Sequence, residues 1–257
     1  MKTKIQTELK NLETSQDIKI LYAVESGSRA WGFESVNSDW DVRFIYVHKP
    51  DWYMSIDDRK ETIEEMLPED LDLSGWELRK ALKLFRKSNP PLMEWLRSPI
   101  VYQENYSTAD RLRELATDYF NPKACLHHYF HMAEGNFRDY LQKELVRTKK
   151  YFYVLRPLLC CLWIEKHNSF PPMEFDILVK DLISDKVILK EIELLLIQKR
   201  SGEELGESPS IAPLQLYIIS VIEYLRDLLK KEIAPVQPDT EKLNELFRDT
   251  IKEVYGN

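Results

Sequence analysis

The chain has 257 residues, 31% of them charged and 44% hydrophobic, with a formal net charge of −7. That length buries a sizeable core over one or two domains, and the composition is that of an ordinary soluble globular protein. The acidic balance argues against a protein that coats nucleic acid non-specifically, while a local basic groove stays compatible with it.

Three cysteines, Cys125 and the adjacent Cys160 and Cys161, make no disulfide framework and point to a reducing cytosol. The N-terminal MKTKIQTELKNLETSQD lacks the apolar core of a signal peptide, and no stretch is long and apolar enough to span a membrane. The expected location is cytoplasmic, with no membrane partner.

Ile5, Leu9 and Leu12 predict a short amphipathic helix over residues 3–14. Ile18 to Glu25 is an apolar first strand. The Gly27-Ser28 turn then leads through a short helical or looped segment to Asn37, and Asp39 to His48 is a second strand. Residues two apart in a strand share a face, so Asp39, Asp41 and Arg43 project together while Trp40, Val42 and Phe44 point the other way. Between Lys49 and Glu69 the chain is polar, anchored by Trp52, Tyr53, Met54 and Ile56, and Glu61 to Met66 fits either a strand or a helical turn.

Leu71-Asp72-Leu73 predicts a third strand. Ser74-x-x-Glu77 fits a capping box that opens a helix with an apolar stripe of Leu78, Ala81, Leu82 and Phe85, and Asn89-Pro90-Pro91 stops it. A short helix, Leu92 to Arg97, follows, and this portion ends near Gln103. Beyond Ser107 the periodicity is helical, over 107–119, 122–143, 147–168, 172–183, 185–199, 211–232 and 239–255, with linkers around 202–209 and 234–238. The expected architecture is α+β: a mixed sheet with helices over residues 1–104, then an all-helical domain over 105–257, with the cleft between them as the default ligand site.

Asp39 and Asp41 held side by side repel, and that arrangement persists only beside something cationic, for which a hard divalent ion with oxygen ligands is the usual answer. Gly27-Ser28 lets backbone N–H groups approach an anion closely. A phosphate cradle beside a metal-binding carboxylate pair is equipment for phosphoryl or nucleotidyl transfer. A two-metal site needs a third carboxylate. Asp57, Asp58, Glu61, Glu64, Glu65, Glu69, Asp70 and Asp72 are available; Asp72 fits best between Leu71 and Leu73, with Asp70 next.

Gly27-Ser28, a gap, then Asp39-x-Asp41 resembles the GS…DxD signature of the DNA polymerase β-like nucleotidyltransferase superfamily. The wider wording, ESGSRAWGFES…SDWDVRFIYV, is similar to the RNA-ligase-associated polymerase-β-like branch found in RNA repair loci. The resemblance implies a polymerase β-like catalytic domain, Mg²⁺ or Mn²⁺ held by Asp39, Asp41 and Asp72, and an NTP substrate, ATP foremost. It also implies a lone Asp between apolar residues, which agrees with Asp72.

Ser28 is placed to hold a β- or γ-phosphate, and Arg29 and Arg43 either neutralise phosphate or pair with the aspartates. Arg79, Lys80, Lys83, Arg86 and Lys87 make a mostly solvated face, with Lys80 nearest the site. Farther on, Lys149, Tyr153 and Arg156 fall on one helical face beside Lys150, suited to a triphosphate and a stacked base, and Pro157 should kink that helix. The family carries an equivalent Lys-Lys-aromatic-Tyr-x-x-Arg run, which implies a nucleotide role for these residues. His127, His128 and His131 with Cys125 lack further zinc ligands, and Cys160-Cys161 fits core.

The expected activity is transfer of a nucleoside monophosphate from an NTP to an acceptor hydroxyl, with release of pyrophosphate, in RNA repair with an RNA acceptor. Two alternatives compete: a nucleotide- or RNA-binding accessory protein with little turnover, and a nucleotidyltransferase that modifies a protein or small molecule.

Overall fold

The computed structural model describes residues 1–201, 206–230 and 239–256. The chain forms two compact units, one of Met1–Ala30, Asp39–Phe120 and Val236–Asn257, the other of Trp31–Ser38 and Asn121–Pro235.

The first unit is built on a five-stranded mixed sheet in the order β3-β4-β2-β1-β5. Its strands are β1 (Ile18–Glu25), β2 (Trp40–His48), β3 (Thr62–Leu67), β4 (Leu71–Glu77) and β5 (Val101–Glu104). Only the β2–β4 pair is parallel. Helix α1 (Lys2–Gln16) lays Ile5, Leu9 and Leu12 on one face of the sheet, against Ala23, Val42, Phe44 and Leu73 among others. Each such side chain contributes roughly 1.5–3 kcal/mol through burial. The alternation that buries Val42 and Phe44 turns Asp41 and Arg43 to the opposite face.

The segment Glu61 to Met66 is resolved in favour of a strand, since β3 pairs antiparallel with β4. The turn between them takes positive φ at Glu69 (69°) and Asp70 (53°). The capping box at Ser74 does not form. β4 runs on to Glu77 because it is paired on both sides, by β2 and β3, and that holds Ser74 extended opposite Arg43. Gly75 belongs to this strand because the Phe44 ring crosses it: a Cβ there would lie 2.1 Å from the ring. Helix α4 (Leu78–Arg86) is capped instead by Glu77, whose carboxylate accepts from the N–H groups of Arg79 (2.8 Å) and Lys80 (3.3 Å) and from the Tyr53 hydroxyl.

Short helices α2 (Gly27–Ala30), α3 (Pro50–Tyr53) and α5 (Pro90–Trp95) complete the strand connections. Helices α6 (Thr108–Leu115) and α12 (Thr240–Tyr255), on the far side of the boundary expected at 104/105, pack with the sheet unit. Thr108 and Thr250 share a hydrogen bond of 3.1 Å, and the Tyr255 hydroxyl donates to the Val47 carbonyl at 3.1 Å.

The second unit is mainly helical, departing from the all-helical expectation only by a short strand pair among the described residues: α7 (Pro122–Asn136), running into a π-helical turn at Phe137–Leu141, then α8 (Lys150–His167), α9 (Phe175–Leu182), α10 (Lys186–Arg200) and α11 (Ala212–Leu228). Cys125, Cys160 and Cys161 are fully buried in it. Helix α8 continues through Pro157. Phe33, from the stretch that follows the first unit's Gly-Ser turn, stacks on Phe152 with centroids 4.8 Å apart. Of the expected linkers, 234–238 and the start of 202–209 lie outside the described residues. Glu207–Pro209 is a strand, β7, paired with β6 (Leu145–Arg147). Among the described residues no helix is long and apolar enough to cross a membrane.

Candidate active site

Parallel pairing of β2 and β4 sets Asp41 directly opposite Asp72. Arg43, two residues along β2 and on the same face, reaches both: its Nη2 donates to Asp41 Oδ1 at 2.8 Å and to Asp72 Oδ2 at 2.9 Å. Its Nη1 donates to the carbonyls of Val42 (3.2 Å) and Asp72 (3.3 Å). In this structure the arginine pairs with aspartates, Asp41 of its own strand and Asp72 of the neighbouring one. Asp70 sits in the exposed β3–β4 turn, where its carbonyl accepts from the Trp40 N–H at 2.9 Å. Asp72 is therefore the carboxylate brought to Asp41.

The Gly-Ser turn presses on the same place. Gly27 has φ +60°, and a Cβ on it would lie 2.2 Å from Asp41 Oδ2. Only glycine admits both that backbone and that approach. Ser28 is half-buried in α2 directly after it. The Ser26 N–H donates to the Asp41 carbonyl at 2.8 Å, tying the turn to the start of β2. Arg29 lies over the Trp40 ring, 3.6 Å from its centroid, and its Nε donates to the Asp39 carbonyl at 3.1 Å. Asp39 itself is exposed, one residue before β2.

Sequence reasoning assigned no role to Glu25, which is fully buried at the end of β1. Its Oε1 accepts from the Asp41 N–H at 2.9 Å and its Oε2 from the Tyr102 hydroxyl. The signal was present: an acid closing an otherwise apolar strand, ILYAVE, requires a partner once buried. Burial pushes the Glu25 carboxyl up, against the hydrogen bond from Tyr102. Burial also raises Asp41; Arg43 opposes the shift, while Asp72 and Asp39 add to it.

The donor set suits a hard divalent cation. Arg43 takes one oxygen of each paired carboxylate, and among the described residues no hydrogen bond falls on Asp41 Oδ2 or Asp72 Oδ1. Burial keeps the Asp41 carboxyl raised in spite of Arg43, whose one charge is shared between two carboxylates, and a further cation would lower it. Among the described residues no three His, Cys, Asp or Glu side chains form a ready-made ligand group.

Lys80 is half-exposed in the first turn of α4. Lys149, Lys150, Tyr153 and Arg156 belong to the second unit, and they do not share one exposed face. Lys149 and Tyr153 are exposed, and the Lys150 ammonium lies 3.8 Å from the centroid of Tyr140 and 5.0 Å from that of Tyr153. Arg156 is 2% exposed, lies 4.4 Å from the Trp31 ring centroid and donates to the Met173 carbonyl at 3.4 Å. The Trp31–Ser38 segment covers it, which the spacing of α8 alone does not reveal. His127 and His131 stack with centroids 5.9 Å apart.

The sequence matches the RNA repair pathway DNA polymerase beta family, RlaP, over residues 1–249. It is 51% identical over 255 residues to YcgL of Bacillus subtilis (strain 168), described as uncharacterized, a match that spans 99% of this chain and 98% of that one. A solved nucleotidyltransferase-like protein from Exiguobacterium sibiricum 255-15 aligns over 96% of this chain and 88% of its own, at 13% identity and a TM-score of 0.32.

Proposed function

We propose that this protein, which belongs to the RNA repair pathway DNA polymerase beta family, is a metal-dependent nucleotidyltransferase that moves a nucleoside monophosphate from an NTP, ATP foremost, to a hydroxyl of RNA. The observation that carries the reading is the register of β2 and β4. It sets Asp41 and Asp72 opposite one another, with the Gly27 turn pressed on the Asp41 carboxylate.

Nucleotidyltransferases of this fold usually use divalent metals, and here Mg²⁺ or Mn²⁺ would be held by Asp41 and Asp72 with Asp39 beside them. A bound divalent ion supplies charge neutralisation on the phosphates and polarises the reacting phosphorus. Backbone N–H groups of the Gly27-Ser28 turn and the Ser28 hydroxyl bind the phosphates of the leaving group, with Arg29 as a nearby cation; Lys80, proposed from the sequence as a further cation, follows the opposite end of β4 from Asp72. Asp72 positions the acceptor hydroxyl and takes up its proton as the oxygen attacks the α-phosphorus. A new P–O bond forms, the bond to the β-phosphate oxygen breaks, and pyrophosphate leaves. Lys149, Lys150 and Tyr153 of the second unit are offered as nucleotide-binding residues on the sequence resemblance alone, whereas Arg156 is buried within that unit.

One observation favours the accessory reading, a nucleotide-binding protein with little turnover: Arg43 already pairs with both facing carboxylates and offsets part of their charge. Incubation with α-labelled NTPs, Mg²⁺ or Mn²⁺, and RNA, DNA or protein acceptors decides. Label on RNA that disappears in Asp41→Asn supports the proposal. Label on protein alone replaces the acceptor, and binding without label on any acceptor supports the accessory reading.

A further inference from the structure

The Arg43 side chain is 19% exposed and, among the described residues, is held by groups of β2 and β4: one oxygen of Asp41, one of Asp72, and the backbone carbonyls of Val42 and Asp72. All four acceptors are set by strand register, so the guanidinium is fixed in place without any ligand. It stands where the repulsion between two facing carboxylates calls for a cation, and among the described residues the remaining oxygen of each accepts no hydrogen bond. A divalent ion using those oxygens would lie on the same two half-buried carboxylates as an existing positive charge.

We infer that Arg43 is a resident counter-cation that keeps the carboxylate pair aligned and holds the divalent-ion affinity of the nucleotide-free protein low, so that the ion binds together with the triphosphate. The inference rests on the metal-dependent reading proposed above. Two cations on one pair of carboxylates repel, and the repulsion is strengthened because Asp41 and Asp72 are only 29% and 30% exposed, away from full solvent screening. Phosphate oxygens bring the negative charge that offsets it. Metal and nucleotide are thereby coupled: each raises the affinity for the other by the same factor. Arg43 sets the size of that factor. A purely structural arginine would do the opposite, since its loss lets the carboxylates separate and weakens any ion they share.

The test is titration of the full chain with Mn²⁺, followed by electron paramagnetic resonance, with and without a non-hydrolysable ATP analogue. Wild type is expected to bind Mn²⁺ weakly alone and more tightly with the analogue. Arg43→Gln, with folding confirmed by circular dichroism, is expected to bind Mn²⁺ alone roughly ten- to a hundredfold more tightly, with the gain from the analogue reduced to match. Arg43→Lys keeps the charge and is expected to stay close to wild type. Unchanged or weaker Mn²⁺ binding in Arg43→Gln overturns the inference, as does equal tightening in the Gln and Lys variants, because geometry rather than charge would then be responsible. Asp41→Asn and Asp72→Ala separate the two levels. If neither alters Mn²⁺ binding in wild type, the metal-site reading itself fails. If both do and Arg43→Gln does not tighten it, only the role of Arg43 falls.

Discussion

Gly27 and Asp41 are in contact across the mouth of the first two strands: Asp41 Oδ2 lies 2.2 Å from where a Cβ on Gly27 would be. The turn and the carboxylate are therefore one structural unit. Gly27→Ala is expected to cost about 1–2 kcal/mol from the left-handed backbone alone, and to displace the Asp41 side chain. Label transfer should fall by orders of magnitude while the circular dichroism spectrum is retained. Full activity in a folded Gly27→Ala protein would separate the turn from the site.

The carboxylates Asp70 and Asp72 are two residues apart and make opposite predictions. Asp72→Ala removes a partner of Arg43 and a proposed ligand, so turnover should drop by orders of magnitude. Asp70→Ala is expected to leave turnover near wild type. Asp70→Gly should even add roughly 0.5–1 kcal/mol of stability, because φ at this exposed turn residue is 53°. Chemical denaturation and the transfer assay check both, and the reverse ranking would reassign the third carboxylate.

Ser74 and Glu77 are a second such pair. Glu77→Ala leaves the Tyr53 hydroxyl and the first N–H groups of α4 without their acceptor, and should cost about 2–4 kcal/mol. Ser74→Ala sits in mid-strand and should cost well under half of that. Equal losses in urea titrations would return the cap to Ser74.

His48 gives a pH dependence. Burial, helped by Arg59 and opposed by Asp17, lowers its pKa to about 4 from an ordinary 6.5, and its ring stacks on Trp52 with centroids 4.2 Å apart. The fold prefers the neutral ring, so the His48 contribution to stability is complete above about pH 6.5 and is lost as the pH falls toward 4. Glu25, Asp41 and Glu77, raised by burial, act in the other direction: their contributions are complete below the ordinary carboxylate range and are lost as pH rises through the folded values. The comparison is therefore between wild type and His48→Phe, which keeps the stack. The variant should lose less stability between pH 6.5 and 4.5, and parallel curves would remove His48 from the explanation.

Arg156→Ala is expected to lower stability by about 2–4 kcal/mol through lost packing on Trp31 and lost hydrogen bonding to Met173. Lys149→Ala, on the surface, should melt within a few tenths of wild type. If Arg156→Ala melts like wild type and weakens nucleotide binding instead, its place in the core is not what matters.

The local pattern of the chain determined a good deal. A continuous apolar run marked β1, and alternation marked β2 and the face shared by Asp41 and Arg43. Helical spacing located α7 with its π-helical turn and α8 to α12 within a few residues, and the Gly-Ser…Asp-x-Asp wording identified the family now matched over residues 1–249. These features depend on neighbours a few positions apart, where backbone geometry alone sets direction. The rest depended on partners distant in the chain. Ser74 has a helix-starting sequence, yet pairing with two strands keeps it extended. Arg43 had phosphate or the aspartates as its expected partners, and only the parallel register of β2 and β4 brought Asp72 to it beside Asp41. Glu25 gained its role from Tyr102, 77 residues away. Arg156 has the spacing of an exposed face, but the Trp31–Ser38 segment covers it. A single sequence carries the period of each element, whereas which buried charge meets which partner is settled only when the elements pack, because the cost of leaving such a group unpaired arises only once water is gone.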